Sequence, residues 1–269
     1  MTHPGETFRA LHIAGDPFIL ANVWDRGSAK MMQVMGAKAL ATSSAAHAFT
    51  MGRPDGGTLT RDEALAHASD ILSVATVPVQ GDFENGFGDS PDDCAETVRM
   101  AAEIGLAGIC IEDTILPGDS PYDFDLAVDR IRVAASAARA LNDDFVLTAR
   151  ADGIMIGTYD TDEAIKRLQA FADAGADCLY APLPPSIDEL ARICRSVDKP
   201  VNALVAGDFA ANSLADFASI GVARLSLGSA LARVTHRAIY DAGQQMFGGV
   251  FSALQNGISS DTIDEMLKE

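Results

Sequence analysis

Short apolar runs and amphipathic stretches alternate along the chain, and the alternation repeats eight times. The runs are residues 19–23, 39–42, 77–81, 108–111, 146–149, 178–181, 201–204 and 224–227. Runs this short and this apolar predict buried strands, and the stretches between them carry the spacing of helices with one apolar face. Helix starts are legible as well. Thr60-Arg-Asp-Glu63 reads as a capping box, and Ser90-Pro91-Asp-Asp93 sets a cap, a proline at the first helical position and carboxylates on the positive helix end. Thr161-Asp-Glu163 and Ser186-Ile-Asp-Glu189 open two further helices in a similar way. Gly36, Gly105, Gly175 and Gly221 stand before the next run, where a helix ends in a left-handed residue.

Strand–helix alternation predicts a parallel sheet, and eight units predict a closed (β/α)8 barrel rather than an open doubly wound sheet. No linker divides the chain, so one domain is expected over residues 1–269. After the eighth run a helix extends from Ser229 to about Phe247 and stops at Gly248-Gly249. Residues 251–267 read as one or two more helices. The 229–269 segment exceeds what a barrel needs and is expected either to serve subunit association or to pack across the barrel.

In such a barrel the chemistry sits where the strands end. Asp82 and Glu84 end the third run two residues apart, so in an extended chain they share a side while Phe83 points away. Glu112 ends the fourth run in inward phase. Three carboxylates converging in a low-dielectric mouth call for a cation, and hard oxygen ligands suit Mg²⁺ or Mn²⁺; the alternative is a solvated acidic rim. Arg150 ends the fifth run facing inward, as a fork for a substrate carboxylate or as an internal ion pair with Asp82 or Glu112. Thr42-Ser43-Ser44-Ala45-Ala46 is small enough for backbone amides to approach an anion. His47 follows, the only histidine near the mouth, and a lone histidine is more often structural than catalytic. There is no P-loop, dinucleotide fingerprint, H-E-x-x-H or G-x-S-x-G.

Composition narrows the partners. Among 269 residues, 48 % hydrophobic and 22 % charged, 20 Lys and Arg oppose 38 Asp and Glu, a net charge of −18. Such a surface repels phosphate backbones and anionic lipid, so neither nucleic acid nor membrane is an expected partner. An anionic substrate then needs a local positive centre, an arginine or a metal. The four cysteines (Cys94, Cys110, Cys178, Cys194) lack zinc spacing, and no disulfide framework is implied. The absence of a leader pattern or apolar span in the sequence gives a cytoplasmic expectation.

Several segments together carry a family resemblance. Asn22-Val-Trp-Asp25-Arg-Gly-Ser28-Ala29-Lys, Ala41-Thr-Ser-Ser-Ala45, Gly52-Arg-Pro-Asp55-Gly56, Asp82-Phe-Glu-Asn-Gly86-Phe-Gly88-Asp, Gly108-Ile-Cys-Ile-Glu112-Asp113 and Thr148-Ala-Arg150-Ala-Asp152 are the first of them. With Pro200-Val-Asn202 and Ser226-Leu-Gly-Ser229, they resemble the isocitrate lyase/phosphoenolpyruvate mutase superfamily along almost the whole chain. The resemblance implies a (β/α)8 barrel that binds Mg²⁺ and small 2-oxo or 2-hydroxy acids. Asp82 matches the direct metal ligand, Glu84 and Glu112 its outer carboxylates, and Asp55 an acidic residue beside the metal waters. Ser43, with the amides of Ser44 and Ala45, matches the loop that receives the substrate carboxylate. Arg150 matches the arginine on substrate oxygens, and Asn202 a polar residue of the pocket. A homotetramer with an exchanged eighth helix is also implied.

One departure matters. Isocitrate and methylisocitrate lyases carry a Lys-Lys-Cys-Gly-His loop after the fourth strand, and the mutases a loop with Lys and Asn. Residues 114–123 here, Thr-Ile-Leu-Pro-Gly-Asp-Ser-Pro-Tyr-Asp, hold none of these donors. The expectation is a Mg²⁺-dependent lyase cleaving a C–C bond through a metal-stabilised enolate, with oxaloacetate-like decarboxylation favoured. Its alternatives are P–C chemistry on phosphonopyruvate-like compounds, oxaloacetate hydrolysis, or a non-catalytic carboxylate-binding barrel.

Overall fold

The computed structural model describes residues 3–268; Met1, Thr2 and Glu269, the ends of the expected domain, lie outside them. Eight parallel strands close into a barrel in chain order. They are β1 (Phe18–Asn22), β2 (Ala39–Ala41), β3 (Val79–Asp82), β4 (Gly108–Glu112), β5 (Val146–Arg150), β6 (Cys178–Tyr180), β7 (Val201–Leu204) and β8 (Arg224–Ser226). Each falls within a residue or two of an apolar run. Strand alternation divides the side chains. Ile109, Ile111, Leu147, Ala149, Leu179 and Leu225 face outward into the core shared with the helices. Asn22, Gln80, Asp82, Cys110, Arg150, Asn202 and Ser226 line the barrel interior.

The helices are α1 (Pro4–Ala10), α2 (Arg26–Val34), α3 (Ser44–Thr50), α4 (Arg61–Leu72), α5 (Pro91–Glu103) and α6 (Phe124–Arg139), then α7 (Thr161–Asp173), α8 (Ile187–Ser196), α9 (Leu214–Ser219), α10 (Ala230–Phe247) and α11 (Ser260–Leu267). The capping boxes at Thr60 and Ser90 form as expected. Gly36, Gly105, Gly175 and Gly221 all take positive φ, the conformation that ends a helix without a Cβ clash. α1 closes the N-terminal end of the barrel. Its Phe8 is fully buried and meets Phe18 edge-on at 6.1 Å, in a cluster with Ala39, Ala107 and Val146. Burying such a ring stabilises by about 2–3 kcal/mol.

Two connections depart from a simple strand–helix repeat. Between β2 and β3 the chain makes two helices, α3 and α4. Residues 114–123, the segment after the fourth strand that lacks the lyase and mutase donors, contain a small antiparallel hairpin, Thr114–Ile115 with Ser120–Pro121. The C-terminal helices are present as expected, but α10 buries only Ala232. β1 is left with Ile19 49 % exposed on its outer face. No helix among the described residues is long and apolar enough to cross a membrane.

Candidate active site at the C-terminal end of the barrel

A cavity of about 140 Å³ opens at the strand ends. Arg150 stands at its centre because β5 ends in inward phase. Its guanidinium holds Asp82 at 3.1 Å, Glu112 at 3.1 Å and Asp152 at 2.5 Å. The internal ion pair, one of the two readings open for Arg150, is therefore formed. Asp82 ends β3 and receives more than Arg150. Its Oδ2 accepts from the Ser44 amide and hydroxyl, both at 2.9 Å, and the Cys110 thiol donates to Oδ1 at 3.3 Å.

Glu84 joins the cluster by a different route from the one expected. β3 stops at Asp82, and Glu84 sits in the left-handed region at φ 45°, so it is placed by a turn and not by strand alternation. Its carbonyl accepts from the Glu112 amide at 2.9 Å, and its Oε1 from the Gly57 amide at 3.0 Å. Phe83 points away into the core, as expected. Asp55 stays exposed at the mouth, its Oδ1 accepting from Gly56 at 2.9 Å.

Asp55, Asp82, Glu84, Glu112 and Asp152 thus crowd one guanidinium. Burial pushes Glu84 up to about 7, against the Gly57 hydrogen bond, and pushes Glu112 well above the usual carboxylate range, against Arg150. Asp55 is raised by partial burial and then by the charge of Asp82. The site holds more carboxylate than it can ionise alone, the electrostatic condition for a divalent cation. Among the described residues no three His, Cys, Asp or Glu side chains form a ready-made cage. Mg²⁺ does not need one, since it keeps several waters and takes one or two carboxylates. Asp82, Glu84 and Glu112 could hold it.

The remaining expected residues are also placed. Ser43 is buried and caps α3, its Oγ accepting from the Ala46 amide at 3.2 Å; Ser43, Ser44 and Ala45 all line the cavity. Asn202 is fully buried, donating to Ser226 Oγ and accepting from Arg224 Nε, both at 2.8 Å. His47 does not line the cavity. It stacks on His67 at 3.8 Å, and burial with the charge of His67 lowers it to about 4.

Three contributors escaped the sequence reading. Asp152 clamps Arg150 through both its carboxylate oxygens, and its own amide donates to Asp113 at 2.8 Å. Tyr180 sits beneath the guanidinium at 5.3 Å. Arg224 closes the cavity floor. All three have inward phase or stand two residues past one that does, the signal that could have found them.

The phosphoenolpyruvate phosphomutase family pattern matches residues 8–247. The chain is 33 % identical over 196 residues to the 2-methylisocitrate lyase of Escherichia coli K12, covering 70 % of this chain and 64 % of that one. It is 30 % identical over 263 residues to the oxaloacetate decarboxylase of Paraburkholderia xenovorans LB400, covering 93 % and 84 %. A crystal structure from Burkholderia cenocepacia J2315, provisionally named a lyase/mutase, superposes with a TM-score of 0.94 at 41 % identity over 98 % of this chain and 95 % of that one. A closed barrel, an acidic strand-end cluster around one arginine and a family match over most of its length make this chain a member of the isocitrate lyase/phosphoenolpyruvate mutase superfamily of lyases and mutases.

Proposed function

We propose that the chain is a Mg²⁺- or Mn²⁺-dependent lyase acting on the C–C bond of a small 2-oxo or 2-hydroxy dicarboxylic acid, with decarboxylation of an oxaloacetate-like acid as the favoured reaction. The observation that carries this is the excess of carboxylate around Arg150 in a cavity sized for such an acid. The length of the match to an oxaloacetate decarboxylase supports it. Asp82 would be the direct ligand, with Glu84, Glu112 and Asp55 around it. When bound, the cation supplies the electrophilic pull on the C2 oxygen that C–C cleavage requires.

The chain's own residues do the rest. Asp82 now occupies the Ser44 amide, the Ser44 hydroxyl and Arg150 Nη1. Turning Asp82 away frees all three donors for substrate oxygens at the same moment. The amides of Ser44 and Ala45, at the start of α3 behind Ser43, then receive the C1 carboxylate. Arg150, still oriented by Asp152, offsets the negative charge that develops as the bond breaks. Asn202 shapes the far wall. Asp55, exposed at the mouth and shifted upward by burial and the charge of Asp82, leaves its Oδ2 free to hold a water that protonates the carbon left by cleavage. The 114–123 segment has no Cys, Lys, Asn or His to act as the acid, and its Tyr122 is buried with its hydroxyl donating to Asp89 at 2.7 Å.

The test is product analysis on oxaloacetate with Mg²⁺. Pyruvate and CO₂ are expected. Oxalate and acetate would convert the assignment to hydrolysis, turnover of phosphonopyruvate alone to P–C chemistry, and binding without turnover to a carboxylate-binding barrel.

The bare outer face of β1 supports an oligomer. A groove of about 320 Å³ runs along it between Ile19, Met32, Met35 and Leu214, where a barrel's eighth helix would lie. α10 is 18 residues long and exposes Val234, Ile239, Tyr240 and Phe247 instead of filling that groove. A second copy's α10, with these apolar side chains exposed, is the occupant that fits an apolar groove, consistent with a homotetramer that exchanges this helix.

A further inference from the structure

Among the described residues, Arg150 and Arg224 are the only cationic side chains lining the cavity, and the two are opposites. Arg150 is surrounded by three carboxylates. Arg224 is 1 % exposed and, among the described residues, has no carboxylate within 4 Å. Its Nε donates to Asn202 Oδ1 at 2.8 Å, and its Nη1 donates to Gln80 Oε1 at 2.7 Å and contacts Thr148 Oγ1 at 3.3 Å and His12 Nε2 at 3.2 Å. Every one of these partners is neutral. The Phe8 carbonyl accepts from His12 Nδ1 at 2.8 Å, which leaves Nε2 as an acceptor, and burial with the charge of Arg224 lowers His12 to about 3. These hydrogen bonds all involve Nε and Nη1; among the described residues Nη2 makes none. A buried guanidinium held by neutral dipoles alone is an unfavourable arrangement unless an anion completes it.

From this we infer that Arg224 is the subsite for the distal anionic group of the substrate, so that the enzyme takes an acid with a second carboxylate in preference to its monocarboxylate counterpart. The inference rests on the metal-site reading above and deepens it. Three observations carry it together: an uncompensated buried charge, its place on the floor of the same cavity, and the absence of any Lys, Arg or His in the 114–123 segment that could hold the distal group from above. A carboxylate anchored at C1 near Ser44 and a second one at the floor would lay the acid along the barrel axis. Charge-assisted bonds from Arg to a carboxylate are the strong and selective kind. A site built for one discriminates against ligands that leave it empty.

Malate and lactate are a matched pair of stable 2-hydroxy acids that differ by the distal carboxylate. With Mn²⁺-loaded protein, calorimetry is expected to show malate binding at least tenfold tighter than lactate. In Arg224→Gln that preference should vanish, while oxalate, which needs only the metal end, stays within about threefold of wild type. A folded Arg224→Gln that keeps the preference, or a wild type without one, overturns the inference. Failure of the wild type to bind oxalate with Mn²⁺ overturns the metal-site reading instead, which separates the two failures. A crystal structure of the wild type with malate is independent of variant folding. The distal carboxylate within hydrogen-bond distance of Arg224 supports the assignment, and a distal carboxylate turned toward residues 114–123 overturns it.

Discussion

At the mouth of the barrel one guanidinium does the electrostatic work that a divalent cation would otherwise share. Removing it separates the roles. Arg150→Ala leaves Asp82, Glu112 and Asp152 buried without a counter-charge, and breaking such a cluster costs about 3–5 kcal/mol. Thermal unfolding should show that loss, and saturating Mg²⁺ should raise the Tm of the variant more than that of the wild type. Equal shifts would place the cation elsewhere. Arg150→Lys keeps the charge without the fork, and turnover is expected to fall by about 10² to 10³. Asp82→Ala should abolish the calorimetric Mn²⁺ signal while circular dichroism remains that of the wild type. The strand-end residues Asp82, Glu112 and Arg150 were legible because alternation in a barrel strand fixes direction. For Glu84 the alternation argument does not hold, since a positive φ after β3 places it. Arg224 stayed hidden because its meaning lies in its partners, which come from β3, β5, β7 and the segment after α1, and phase alone does not reveal which neighbours a side chain lacks.

Among the secondary-structure elements, the regular ones followed from caps and apolar spacing, and the short ones did not. α3 has seven residues, too few for a period to stand out, and it is set by the Ser43 cap. It carries His47 onto His67 of α4, and this contact gives a pH signature. His47 is lowered to about 4 by burial and His12 to about 3, so between those values and the ordinary 6.5 the unfolded chain takes up protons that the fold refuses. Their contribution to stability is complete above pH 6.5 and is lost as pH falls toward 4 for His47 and toward 3 for His12. The Tm of His47→Gln should therefore drop less than that of the wild type between pH 7 and pH 5; parallel drops would rule out this stack as the cause. The hairpin in residues 114–123 packs against the 55–57 loop, where a Cβ on Gly57 would lie 3.0 Å from both Leu116 and Pro117. Its expected role is to close the mouth and keep water out. Joint replacement of Asp119 and Ser120 by Ala should slow turnover by less than about tenfold, or ~1.4 kcal/mol. A thousandfold loss with the metal affinity intact would mean that this hairpin supplies the acid.

For the whole molecule, the eight repeats made the barrel readable, whereas the direction taken by α10 was not, because nothing within one chain distinguishes a helix that packs at home from one that packs next door. Phe247 is 95 % exposed, and Ile19 lies bare on the opposite account. Sedimentation should give a species several times the mass of one chain, and removing residues 230–269 should yield a smaller, less stable particle. A monomer unaffected by that removal would end the exchange proposal. If the wall of each barrel is lent by a neighbour, a fault in that wall is inherited by the wrong molecule. A chain bearing Asp at Val234 and Ile239 would build its own strands normally and leave its neighbour's β1 uncovered. Co-expressed with normal chains, it would act dominantly, disabling sound copies in proportion to how often the two are assembled together.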